Sequence, residues 1–447
     1  MIHRVIHLLW GDLRGAELKK FIMLATGFFF LIGPYWLLKT LKDSIFVNTV
    51  GPEHQPMVKI LSLILSLPLV LIYSKLVDIL SKEKMVYFLV TLYGTLGMIF
   101  VYFFYHPTIG LANTTSDSSR LIGWLFVLYV DSYISLMISL YWAFINDVTT
   151  PESAKKGYGL IIFGSQLGGV VFMLLGDVLS ADASLYSTRG PLICFIAVSC
   201  LLVIAPLTYL LHRFVNKEEL RSYEETADNQ VKENKEKGAG ISFLDGLKVI
   251  LTHPYVAGIF SLIFFHEVIS SVMNYQMLWL AKTTYVEPGL VNKFLFDYAL
   301  AVQIIACAFA LIGTSFFQRR FGITFCIVAF PVLLGTSIIA YLIAPSLQTI
   351  FYVMLIAKAI NFAFNQPAKE VLYIPTSKSI KYKSKAWVDM FGMRFAKGAG
   401  SMLNKLAGKA IGVSGFIVIG CIAVWIILAN IVGKHFQKAV NEKRVID

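Results

Sequence analysis

Lys397 lies in an apolar run from about Ala386 to Leu406, where an unpaired ammonium costs a few kcal/mol at the least. Lys358 sits in the preceding apolar run, Asp131 in an earlier one, and His266-Glu267 in another. Ionisable groups at such depth line a water-filled path or a buried polar site. Their cationic members point to an anion as the traveller. At 3.6 residues per turn, Asp131, Ser135, Ser139, Trp142 and Asn146 share one helical face, and His266, Ser270 and Asn274 share another, with Glu267 beside them. Lys358, Asn361 and Asn365 form a third stripe, which Lys369 joins if Pro367 leaves the register intact. Asp389, Lys397, Gly400 and Asn404 form a fourth. Helix packing accounts for Ser, Asn and Gly at such positions as readily as function does. It accounts poorly for Lys358 and Lys397, for which an internal ion pair, such as Lys397 with Asp131, is the structural alternative.

Other chemistry is not favoured. No phosphate loop, HExxH or nucleophile elbow is present. Cys194, Cys200, Cys307, Cys326 and Cys421 fall in apolar runs without a CxxC pair, the pattern of buried, inert thiols. No cofactor or metal is expected. His266 reads as a hydrogen-bonded structural histidine before a proton carrier. Gly164 and Gly168 form a GxxxG spacing, a mark of close helix contact.

The elements that must position these groups are membrane helices. The 447 residues are 57% hydrophobic and 15% charged, with a mean hydropathy of +0.70, too apolar for a soluble domain. A crossing needs about 20 apolar residues. Twelve candidates run near 21–39, 57–77, 85–104, 121–145, 158–179, 190–211, 255–279, 296–316, 324–343, 349–366, 386–408 and 413–433. No cleavable signal peptide precedes the first. Loops rich in Lys and Arg alternate with poor ones. The rich set includes Lys82 and Lys84, Lys155 and Lys156, Arg319 and Arg320, the cluster Lys378, Lys381, Lys383 and Lys385, and the C-terminal tail. The positive-inside rule therefore places both termini in the cytoplasm and assigns much of the net charge of +12 to topology rather than to nucleic acid.

Asn216 to Gly240 is the one strongly hydrophilic segment and reads as a solvated linker. Ile241 to Leu247 after it reads as an amphipathic surface helix. Six spans in 1–211, a linker in 212–254 and six spans in 255–447 make a major-facilitator-like all-α membrane protein. Tyr73 to Asp78 fits that fold's hinge loop between spans two and three.

Several segments resemble the ATP/ADP translocases, or nucleotide transporters, of plastids and obligate intracellular bacteria. Lys369-Glu370-Val371-Leu372-Tyr373-Ile374-Pro375 is similar to the family's KEMAYIP, Lys383 to Asp389 to KGKAAID, and Arg394 to Gly400 to LGKSGG. Leu38 to Ser44 resembles LRDTKDT, and Trp142 to Thr149 followed by Ala154-Lys155-Lys156 resembles WGFANEIT…EAKK. The motifs appear in the family's order over most of the chain.

The resemblance implies a major-facilitator-like fold and exchange or import of nucleotides. It makes Lys42 and Lys397 the substrate-linked lysines and Asp131 or Asp147 the acidic position of span four. The family's second functional glutamate has no clean counterpart: the aligned place falls near Met273 and Asn274, with Glu267 upstream. The expected substrate residues are Lys42, Lys358, Lys397, Asn361, Asn365, Asp131, Asn146, Asp147, Lys369, Glu370 and Asp389. A triphosphate carries about four negative charges, which lysines offset by charge-assisted hydrogen bonds. Trp142, Phe144 and Tyr275 are aromatic candidates for stacking on the base. The expectation is a non-enzymatic ATP/ADP exchanger working by alternating access. It would be a monomer in a bacterial inner membrane, with a nucleotide and lipid as partners and no nucleic acid. A proton-coupled importer of another nucleotide or NAD is the alternative within that class. An anion channel or an integral membrane enzyme is the alternative outside it.

Overall fold

The computed structural model describes residues 15–149, 151–215, 243–312, 321–373, 375–376, 387–407 and 411–442. The expected linker and the Lys378–Lys385 cluster lie outside them. The helices are α1 (Gly15–Thr49), α2 (Gln55–Ile79), α3 (Lys82–Phe104), α4 (Leu121–Asp147), α5 (Pro151–Ser180), α6 (Tyr186–Leu202), α7 (Ile204–Phe214) and the short α8 (Phe243–Thr252). There follow α9 (Pro254–Thr284), α10 (Pro288–Ile312), α11 (Ile323–Ile343), α12 (Leu347–Ile360), α13 (Gln366–Leu372), α14 (Met393–Ala407) and α15 (Ile411–Asn441). Among the described residues, ten segments are long and apolar enough to cross a bilayer; they answer to expected spans one to nine and twelve.

Spans ten and eleven are broken helices. α12 widens into a π turn at Asn361–Asn365 before α13, and α14 is preceded by a π turn at Val388–Gly392. Such turns concentrate at functional sites.

Several boundaries depart from the hydropathy reading. α1 continues ten residues past the expected end at 39 and carries Lys42 and Asp43 inside the helix. Leu38, Leu41, Ile45 and Val47 are fully buried there, so the apolar face persists beyond the charges that end the hydropathy run. Lys155 and Lys156, expected in a loop, belong to α5, and Tyr73 to Asp78 belong to α2 rather than to a hinge loop. The turn comes later, where Ser81 caps α3 by accepting from Lys84 N at 3.4 Å. Span six breaks at Val203 between α6 and α7. The expected surface helix is helical from Phe243, the first described residue of that segment, to Thr252, and span eight begins at Pro288 rather than near 296.

The chain forms two compact units, each described by itself. The first comprises the described residues of Met1–Gly51, Ile64–Lys235 and Tyr285–Cys307. Its core is built on α1, α4 and α6, with Leu31, Leu41, Phe126, Tyr133, Ile193 and Val198 all fully buried. The GxxxG pair works as spacing requires. A Cβ at Gly164 would stand 2.8 Å from Ala25 O, and one at Gly168 2.6 Å from Phe29 O, so α5 rides directly on the α1 backbone. The loop before α4 is pinned by Arg120, whose guanidinium donates to the carbonyls of Ile109, Gly110, Asn113 and Thr115 at 2.6–3.0 Å. Beside it, Ser119 N donates to Asp117 at 2.7 Å and holds that carboxyl below the usual range.

The second unit comprises the described residues of Pro52–Leu63, Glu236–Thr284 and Ala308–Asp447. Here α9 packs on α14 and α15, and α11 packs on α15 and α12. A Cβ at Gly400 would meet Val268 O at 2.7 Å, so only glycine lets α14 approach α9 this closely. Ser271 on α9 donates to Lys397 O at 3.2 Å and lies 3.3 Å from Ser401 Oγ, which fixes the register of the two helices.

Candidate functional site

The predicted ionisable residues assemble into two clusters, one in each unit. In the first, Lys42 on α1 is 4% exposed, with its Nζ 2.9 Å from Asp43 and 3.2 Å from Asp131 on α4. Tyr35, one face up the same helix, lies within electrostatic reach of all three. Its ring stacks on Tyr133 at 6.4 Å, and Tyr133 is held by its hydroxyl donating to Leu31 O at 2.8 Å. One ammonium between two carboxylates is a more-than-neutralised cation. Lys42 is thus a paired group, and meeting a phosphate requires that pair to open.

The second cluster is centred on Glu267 of α9, 13% exposed. One carboxylate oxygen lies 3.2 Å from His266 Nδ1 and the other 3.6 Å from Lys397 Nζ on α14. The register fixed by Ser271 and Gly400 brings Lys397 to this carboxylate. Its side chain is 54% exposed, so the ammonium is tethered loosely and remains accessible. His266 is seated between the rings of Phe330 (5.5 Å) and Trp425 (6.2 Å), with Ser270 Oγ 3.5 Å from its Nε2. It is a structural histidine that orients Glu267. Lys358 on α12 and Lys369 on α13 both act electrostatically on this pair. Lys358, His266, Ser270 and Met273 line a narrow pocket with room for about one water molecule.

The remaining expected residues divide. Asn365, 3% exposed, donates to Asn361 at 2.7 Å across the π turn, so the two asparagines hold that turn's shape. The side chains of Asn146, Asp147, Glu370 and Asp389 lie outside the described residues. Lys42 of α1 pairs with Asp131 of α4 within the first unit, and Lys397 of α14 pairs with Glu267 of α9 within the second. The stacking candidates are packing residues. Trp142 lies against Phe28 and Tyr158, Phe144 is 2% exposed against Tyr141, and Tyr275 is 5% exposed. The sequence did flag Glu267, but as a displaced residue, with no signal in its spacing for the Lys397 contact 130 residues on. Among the described residues, no three His, Cys, Asp or Glu side chains converge on a metal position.

Membrane-length apolar helices with charge clusters among them define a multi-pass membrane protein. The likeness to solved structures carries the fold. The chain superposes on the nucleoside transporter NupG with a TM-score of 0.58 at 15% identity, covering 95% of this chain and 99% of that one. It superposes on the E. coli xylose transporter XylE with 0.62 at 12% identity, covering 93% and 98%. The profile of the TLC ATP/ADP transporter family matches residues 2–354 and 343–436, and the chain belongs to that family. Curated relatives include ADP,ATP carrier protein 1 of Rickettsia prowazekii, 25% identical over 95% of both chains. ADP,ATP carrier protein 3 of Rickettsia bellii is 23% identical over 96% of this chain and 95% of its own length.

Proposed function

We propose that this protein exchanges ATP and ADP across a bacterial inner membrane by alternating access. It would act as a lipid-embedded monomer with both termini cytoplasmic, and 1–211 and 255–447 would serve as its two halves. The observation that carries the reading is Lys397. A half-exposed ammonium on α14, held by the Glu267 carboxylate at 3.6 Å, is poised to trade that carboxylate for a phosphate oxygen. Lys358 and Lys369 stand nearby and add to the positive field. Lysine suits a transported phosphate, since its compact charge moves with the ligand while an arginine fork would hold it rigidly. Lys42 enters the cycle only by releasing Asp43 and Asp131, and that makes it a gate responding to charge. Exchange follows if the empty transporter, with its ion pairs closed, reorients slowly and the loaded one reorients quickly.

The test is uptake of labelled ATP into proteoliposomes loaded with ADP or left empty. Uptake that depends on internal ADP and is lost in Lys397→Ala supports the proposal. Equal uptake into both kinds of vesicle refutes exchange.

A further inference from the structure

Trp36 carries a cation over its ring. Lys39, one turn along α1, sets its Nζ 4.0 Å from the Trp36 ring centroid and 5.7 Å from that of Tyr35. Both Trp36 and Lys39 are half-buried, so this ammonium-on-indole pair is not sealed within the core. Tyr35, 5.6 Å from Trp36, backs it and is itself braced by Tyr133. The indole edge and a carboxamide meet at Gly169 of α5: a Cβ there would lie 2.6 Å from Gln303 Oε1 and 3.5 Å from Trp36 Cδ1. Gln303 on α10 is 1% exposed, yet its amide Nε2 has no hydrogen-bond partner among the described residues. A buried donor left so is costly, and such a group has an explanation in function or in an unseen partner.

We infer that Trp36, Lys39 and Gln303 form the subsite that takes the purine base and first phosphates of the nucleotide. This rests on the transport reading above. An aromatic face accepts any base by stacking. A carboxamide holding both a donor and an acceptor is the side chain that pairs with the N6/N7 edge of adenine. In the empty protein Lys39 occupies the ring face by cation–π attraction. When the base takes the face, the ammonium is displaced by a few ångströms and is delivered to a phosphate, where it gains a charge-assisted hydrogen bond. The arrangement couples base recognition to phosphate neutralisation through one side chain.

The experiment compares competition by ATP, GTP and base-free tripolyphosphate against labelled ATP, using detergent-purified full-length protein. Trp36→Ala is expected to weaken ATP about tenfold, ~1.4 kcal/mol, and leave tripolyphosphate unchanged. Gln303→Leu is expected to narrow the preference for ATP over GTP. Should Trp36→Ala fold poorly, Trp36→Phe keeps an aromatic platform and is expected to lose the ATP-induced change in tryptophan emission while retaining binding. An ATP-to-tripolyphosphate ratio that is the same in wild type and Trp36→Ala, or an emission change that survives in Trp36→Phe, overturns the subsite alone. Failure of the wild type to bind any nucleotide overturns the transport reading, and the subsite with it.

Discussion

The two lysines implied by family resemblance should respond differently to removal, and the difference can be worked from their surroundings. At an effective dielectric of about 20, the Lys42 contacts of 2.9 and 3.2 Å are worth about 6 and 5 kcal/mol of gross attraction. Because Lys42 is 4% exposed, little of that is screened. Lys42→Ala leaves two carboxylates at 21% exposure with no ammonium between them, a change that costs about 3–5 kcal/mol where a buried pair is broken. The Lys397–Glu267 contact at 3.6 Å is worth about 5 kcal/mol gross by the same arithmetic. With Lys397 at 54% exposure, solvent leaves about 1 kcal/mol or less of it. Double-mutant cycles read by thermal unfolding in detergent isolate the two couplings. Lys42→Ala with Asp131→Asn is expected to show about 2–4 kcal/mol of coupling, and Lys397→Ala with Glu267→Gln under about 1 kcal/mol. Uptake measured on the same variants should vanish for Lys397→Ala at near-normal stability. Equal couplings in the two cycles, or wild-type stability of Lys42→Ala, would show that the charge environments have been misjudged.

Further outcomes can be checked separately. Gly400→Val, which drives a side chain into Val268 O, should lower stability by about 1–3 kcal/mol and reduce uptake by moving Lys397 off Glu267; melting curves and uptake report both. Gly164→Leu should do comparable damage to the α1–α5 contact, with lost protein yield as the readout. Lys293 bridges Asp177 at 3.3 Å and Asp297 at 3.0 Å, with all three 26–43% exposed. Lys293→Ala should therefore shift stability by no more than about 1 kcal/mol. Arg120→Gln removes most of the donors to four loop carbonyls and should raise hydrogen exchange across residues 106–119 without altering the helices.

Long apolar runs announced most of the spans, because the bilayer demands about 20 apolar residues in sequence. One kind of exception has a local cause: charges that neutralise each other do not end a helix, though they end a hydropathy run. Lys42 and Asp43 in α1 are the clear case. The polar faces on spans four, seven, ten and eleven were visible as period-3.6 stripes, and His266, Lys358 and Lys397 did converge. Their partners were not visible. Glu267 meets Lys397 only because Gly400 and Ser271 set the approach of α14 to α9, and no spacing in the chain records an interhelical distance. Phe144 looked eligible by composition but is 2% exposed against Tyr141, while Trp36 was passed over because nothing in its neighbourhood in sequence announces Gln303.

The π turn at Asn361–Asn365 bears on how relatives should be compared with this chain. A widened turn holds one residue more than a regular one, so deleting a single residue there would restore an unbroken α-helix. Because the widened turn absorbs that extra residue, the deletion would leave the downstream helix, Lys369 included, on nearly the same face while shifting its place in the sequence by one. An alignment that runs through this stretch without a gap can therefore be in phase on one flank and out of phase on the other. Matching letters at Lys369 do not by themselves establish matching positions in space.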